Sequence, residues 1–327
     1  MGWGTRVGRV GVITICLAHT SAASGPADVP SHDRPGDATP QFASAIAMVP
    51  LSVTVTDPCD RPVLGLGREE FLVRDEGVPQ QIEGVGAEAV PLDLALLIDT
   101  SSSMLEPLPV IKVAATNFLH TLRPGDRGAV LGFTRQTRVL QDWTGDLTAL
   151  ARAVQGIRPD GETALYQSVY VAMRAFEDPQ RGDGVPRRQA IVLLTDGEDS
   201  SSLISFDDLL DAARRTNISI YVIASRSAGV ADNLRRLART PDIDYPLRSL
   251  ARDTGGRFYL IKSPTDLAGV YQAIGNELAS QYLMAYVPQT PSSGGEFRRL
   301  SVNVPSRAEL HARTRAGYYP GPVSRAW

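Results

Sequence analysis

Two stretches of the chain, Leu94-Ala95-Leu96-Leu97-Ile98 and Ala190-Ile191-Val192-Leu193-Leu194, are apolar at every position, and each runs directly into a polar, acidic segment. A short apolar run without polar alternation reads as a strand covered on both faces, the situation of a parallel sheet under helices. In such sheets ligands bind outside the carboxyl ends of the strands. The segments at those ends are Asp99-Thr100-Ser101-Ser102-Ser103 and Thr195-Asp196-Gly197-Glu198-Asp199. Their oxygen-bearing side chains point to a cation site.

Between and beyond the two runs, strands alternate with helical segments. Apolar spacing predicts helices over 108–122, 147–157, 163–176, 206–216, 247–253 and 267–280, with Asp146 as a cap for the second. Strands are expected over 129–133, 218–224 and 257–261, and the irregular 225–246 stretch reads as a loop with a short helix near 234–238. The alternation implies right-handed crossovers, hence an α/β fold: a doubly wound, mostly parallel sheet with helices on both faces.

The flanks differ. Leu51, Val53 and Val55 alternate with polar residues, strands are expected around 71–73 and 81–83 with the turn Asp75-Glu76-Gly77 between them, and three antiparallel strands are expected after residue 281. Each flank is too small to fold alone, so the two are expected to pair into one sandwich-like β module in which the α/β domain is inserted. The expected organisation is a signal peptide at 1–23, a disordered linker at 24–45, β segments at 46–90 and 281–320, the α/β domain at 91–280 and a tail at 321–327.

The signal assignment rests on Arg6 and Arg9, the apolar segment 10–18 and the small residues before Ala23. No later segment is apolar for long enough to span a bilayer, so an exported mature chain, periplasmic or extracellular, is expected without a transmembrane segment. Removing the signal leaves Cys59 as the only cysteine, and stability must then come from the core rather than a disulfide. With a net charge of -3, only Lys112 and Lys262 as lysines and no basic run, nucleic acid is an unsuitable partner.

Asp99-Thr100-Ser101-Ser102-Ser103, Gly161-Glu162-Thr163-Ala164-Leu165 and Thr195-Asp196-Gly197 together resemble the three loops of the von Willebrand factor A domain over residues 92–282. With the flanking segments 71–77 and 281–286, the chain resembles the exported bacterial proteins called von Willebrand factor A-related, acidobacterial type. In that family the loops form a metal-ion-dependent adhesion site. The resemblance implies that Ser101 and Ser103 are direct hydroxyl ligands and that Thr163 coordinates directly or through water. Asp99 and Asp196 would act largely through bound waters and hydrogen bonds.

Such a ligand set suits Mg²⁺, or Mn²⁺ or Ca²⁺. Mg²⁺ takes six oxygens at about 2.0–2.1 Å and gives up water reluctantly. Neutral hydroxyl ligands leave its charge partly uncompensated, and a partner's exposed Asp or Glu can complete the shell. The expected function is therefore a metal-dependent protein-binding module for adhesion or scaffolding. The alternative is a structural envelope protein whose metal only stabilises it, with contacts made by the β module. Glu198 and Asp199 either add negative field around the metal or, for Asp199 with Ser200, cap the following helix or turn; Asp160 reads as a turn residue.

Enzyme chemistry finds little support. His19, His32, His120 and His311 are scattered without zinc spacing, and neither a Gly-x-Ser-x-Gly nucleophile motif nor a phosphate-binding glycine loop is present. Trp143, Tyr166, Tyr170 and Phe176 read as packing residues. A non-enzymatic protein is expected. The residues carry no signal of oligomeric state.

Overall fold

Continuous and alternating apolar runs sort the chain into three sheets. A computed structural model describes residues 48–86, 90–159, 161–177, 186–197, 199–225, 244–289 and 295–320. The expected signal peptide, linker and tail, the helix near 234–238, Asp160 and Glu198 lie outside these residues. The described chain starts with strands β1 (Val49–Thr56), β2 (Leu72–Asp75), β3 (Val78–Gln80) and β4 (Ile82–Gly86). Then follow β5 (Leu92–Asp99), α1 (Leu108–Leu119), β6 (Arg127–Phe133), β7 (Thr137–Thr144), α2 (Leu147–Gln155) and α3 (Leu165–Arg174). The series continues through β8 (Arg188–Thr195), α4 (Phe206–Arg214), β9 (Ile218–Ser225), α5 (Tyr245–Asp253), β10 (Phe258–Ile261) and α6 (Leu267–Ala279). It ends with β11 (Tyr282–Tyr286), β12 (Arg298–Asn303), β13 (His311–Arg313) and β14 (Gly317–Tyr318).

The central sheet has the order β10-β9-β8-β5-β6-β7 and is parallel except for β7, which runs antiparallel to β6. Every residue of β5 is buried, because β5 is paired on both edges and covered on both faces. Its side chains alternate between two cores: Leu94, Leu96 and Ile98 pack with α1, α2 and α6, whereas Ala95 and Leu97 pack with α3, α4 and α5. Burying each large aliphatic side chain contributes about 1.5–3 kcal/mol. Asp146 caps α2 as expected, its Oδ1 accepting the N–H groups of Thr148 and Ala149 at 2.8 and 3.2 Å.

The flanking segments form two four-stranded antiparallel sheets, β13-β1-β11-β4 and β14-β12-β2-β3. Each mixes strands from before and after the α/β part: Leu51 lies opposite Met284, and Val73 opposite Val302. The inner faces share one core that includes Leu51, Val53, Val73, Met284 and Val302. Asp75 is fully buried at its centre, where its carboxylate accepts Arg298 Nε at 2.8 Å and the hydroxyls of Tyr286 and Tyr318 at 2.8 and 3.0 Å.

The structure corrects several sequence expectations. After the turn at Glu76-Gly77, the hairpin partner of β2 is β3, and residues 82–86 instead join the other sheet beside β11. The strands after residue 281 divide between the two sheets rather than forming one antiparallel trio. Strand β7 was not anticipated, since as an edge strand that slips register twice against β6 it lacks a regular buried face. Helix α3 starts at Leu165, leaving Thr163 in the preceding loop.

Close approach of backbones joins α5 and β10 to the neighbouring β9. A Cβ added to Gly256 would lie 2.0 Å from the Ile220 carbonyl oxygen, which is backbone and has no room to yield. Gly256→Ala is therefore expected to cost about 3 kcal/mol in denaturant unfolding. Gly84→Ala, which meets nothing within 4 Å, serves as the control. Equal stability of the two variants would refute this packing.

Candidate metal centre

Asp99 is the last residue of β5 and is fully buried. Ladders on both sides fix the direction of β5, so its carboxylate emerges at the edge between β5 and β8. There Oδ1 accepts the Ser101 N–H and Oδ2 accepts the Thr195 hydroxyl, both at 2.9 Å. Thr195 closes β8, and its Oγ1 also accepts the N–H of Gly197, whose φ of 85° suits a glycine.

After Asp99 the chain turns sharply. Thr100 donates both its N–H and its hydroxyl to the Phe133 carbonyl at 2.9 Å, and the tight turn Ser102–Met104 is anchored by the buried Met104 side chain. This brings the hydroxyls of Ser101 and Ser103 to 2.9 Å from each other, and Ser103 donates to Asp196 Oδ2 at 2.5 Å. Asp99, Ser101, Ser103 and Asp196 thus form one hydrogen-bonded line across the ends of two adjacent strands.

Thr163 comes from a separate loop and is buried. Its N–H donates to Ser200 Oγ at 3.2 Å, and its carbonyl accepts the N–H groups of Ser200 and Ser201 at 3.0 and 3.1 Å. Two residues earlier, the Gly161 carbonyl accepts the Ser102 N–H at 3.3 Å. The Thr163 loop is therefore clasped between the loops that follow β5 and β8, through bonds made largely by backbone.

Asp199 has a reach the sequence did not suggest. Its Oδ1 accepts the Ser202 hydroxyl at 2.7 Å in the segment that follows it and, across space, the Leu165 N–H at 2.7 Å at the start of α3, while the next helix, α4, is capped by Ser205. Beside the site, Arg135 Nε and Nη2 both donate to Glu162 Oε2 at 3.0 and 2.7 Å in an exposed pair. The orienting roles of Thr195, Ser200 and Asp199 were missed by sequence reasoning. Only the adjacency of Thr195 to Asp196 hinted at the first.

Hydrogen bonds bring together Asp99, Ser101, Ser103 and Asp196, while Thr163 is held in the adjoining loop by its backbone; the candidate donors are oxygens alone, a chemistry that fits a hard divalent cation. Among the described residues no group of three or more His, Cys, Asp or Glu side chains offers a competing metal site. Burial pushes the Asp99 carboxyl up from 3.8 to about 6, and the negative charge of Asp196 adds to the rise, while hydrogen bonds from Ser101 and Thr195 act against it.

A carboxyl raised in the fold favours its protonated form there. The associated stability is fully present below the ordinary value of 3.8 and is lost as pH rises through about 6. In chelator, the melting temperature should show this decline, and Asp99→Asn should remove it. An unchanged slope in the variant would assign the effect to other groups.

The von Willebrand factor type A domain model matches residues 93–271. A curated relative, an uncharacterized protein of Synechocystis sp., is 23% identical over 188 residues, covering 57% of this chain and 41% of its own; the chain thus spans about two fifths of that relative's length. Among solved structures, a von Willebrand factor type A protein from Catenulispora acidiphila is 16% identical with a TM-score of 0.48, the match covering 80% of this chain and 71% of that one. Proximal thread matrix protein 1 from the mussel byssus, described with a zinc-occupied adhesion-site motif, is likewise 16% identical with a TM-score of 0.48, over 62% of this chain and 49% of its own. With more than half of its length matched by the family model, and with the α/β sheet and three converging loops described above, the chain belongs to the von Willebrand factor type A domain family.

Proposed function

We propose that this protein is an exported binding module that holds a divalent cation at Asp99, Ser101, Ser103, Thr163 and Asp196 and uses it to engage a carboxylate on a protein partner. Domains of this family commonly mediate protein–protein interaction. The observation that carries the metal-dependent reading is the unbroken line from Asp99 through Ser101 and Ser103 to Asp196. These groups are held close together by hydrogen bonds at the carboxyl end of the sheet, where α/β folds place ligands.

The residues divide the work. Ser101, Ser103 and Thr163 would supply neutral oxygens, while Asp99, oriented by Thr195, and Asp196 would hold coordinated waters. When bound, the cation supplies a positive charge that attracts and orients a partner's Asp or Glu. Leu105 and Leu203 stand 65% and 90% exposed on the loops that carry the site, apolar surface that a protein partner would cover. Export is supported by the N-terminal sequence pattern, and among the described residues no helix is long and apolar enough to cross a membrane.

Mn²⁺ binding to the purified protein, followed by titration calorimetry, provides the first test. Thr195→Val, which removes the hydroxyl that orients Asp99, should weaken binding by about 10–100-fold, and Asp99→Ala should abolish it. Recovery of partner protein from envelope or culture fractions should then require Mg²⁺ and fail in chelator. Equal recovery with Mg²⁺, with chelator and with Asp99→Ala would overturn the metal-bridge reading and leave the cation a stabilising role at most.

A further inference from the structure

Residues 311–319 run along the boundary between the sandwich and the α/β part and bond to both. Arg313, paired with β1 in the sandwich, reaches across with Nη2 to Glu277 of α6 and with Nε to the Gly255 carbonyl at 3.2 Å. Thr314 turns back, its hydroxyl donating to the Ser52 carbonyl at 2.9 Å. Arg315 serves both sides with one guanidinium: Nη1 donates to the Thr216 carbonyl beyond α4 at 3.3 Å, and Nη2 to the Pro50 carbonyl of β1 at 3.0 Å. Ala316 donates to the Asp253 carbonyl and accepts from Leu300 of β12.

Around these bonds the boundary is buried and polar. Glu277, only 3% exposed, also accepts the Tyr221 hydroxyl at 2.6 Å and the Thr54 hydroxyl at 3.4 Å. Gly255 has a φ of 80°, and a Cβ there would lie 2.7 Å from the Arg315 nitrogen, so the two backbones touch. Farther along, the Tyr319 hydroxyl donates to Asp211 of α4 at 3.0 Å, and the Arg215 guanidinium lies 4.0 Å from the Tyr319 ring centre.

We infer that residues 311–319 are a strap that fixes the sandwich and the α/β part in one orientation, with Arg313 and Arg315 as its pins. Relative motion is the ordinary behaviour of two modules joined by short connectors across a polar boundary. Here Arg313, Arg315 and Ala316 each bond to both modules, and separating them leaves the buried Glu277 carboxylate without its guanidinium partner. Loss of one member of a buried ion pair is strongly destabilising.

Distance measurement between spin labels tests the strap in the full chain. With labels at Val110→Cys on α1 and Ser301→Cys on β12, and Cys16 and Cys59 replaced by Ser, the protein should give one narrow distance distribution. Arg313→Ala combined with Arg315→Ala should keep the far-ultraviolet circular dichroism of the folded chain while the width roughly doubles. A broad distribution before the pins are removed overturns the strap. So does a narrow one in the folded double variant. Should the double variant fail to fold, Arg315→Met takes its place under the same criteria.

Discussion

The buried strand β5 is the constraint on which the rest of this molecule depends. It must be paired on both edges and covered on both faces, since its backbone and its apolar side chains find no water. That requirement calls for β6 and β8 as neighbours and for helices on each side. It also decides where the chemistry can be: a strand enclosed in this way can present polar groups only at its ends. Asp99 sits at one end, and the hydrogen bonds it accepts from Ser101 and Thr195 compensate part of the cost of burying it.

Much of this arrangement was legible in the residues. The two continuous apolar runs identified the central strands, and helical spacing located most of the helices, because both patterns follow directly from which faces are buried. Asp99, Ser101, Ser103 and Asp196 could be singled out because they follow those runs immediately. What was not legible depends on contacts between distant segments. Thr163 belongs to a loop whose end is set by Asp199, a residue 36 positions later, through its bond to Leu165. The edge strand β7 and the division of β3 and β4 between two sheets are likewise decided by partners, and local alternation carries no record of them.

Arginine has a particular part in this chain, which contains only two lysines, Lys112 and Lys262. A planar guanidinium offers several donors in fixed directions and can bridge acceptors that belong to different segments. Asp75 is matched by Arg298 inside the sandwich, Asp93 by Arg127 and Arg187 at the start of β5, and Asp253 by Arg214 between α4 and α5. Arg315 shows the limit of this usage. Burial brings its guanidinium down to about 10, still charged at neutral pH, and backbone carbonyls solvate the charge.

The placement of the connectors has a mechanical consequence. The chain enters the α/β part just before Leu92 and leaves it just after Ala279, at the end of β5 opposite Asp99. A tensile load between the loops around Asp99 and the sandwich would therefore run along the axis of β5, over roughly 25 Å. Parallel ladders to β6 and β8 extend over most of that length, so their hydrogen bonds are loaded together in shear rather than opened one after another. A fold loaded at the Asp99 end of β5 and tied at the other resists being pulled apart along the axis of that strand.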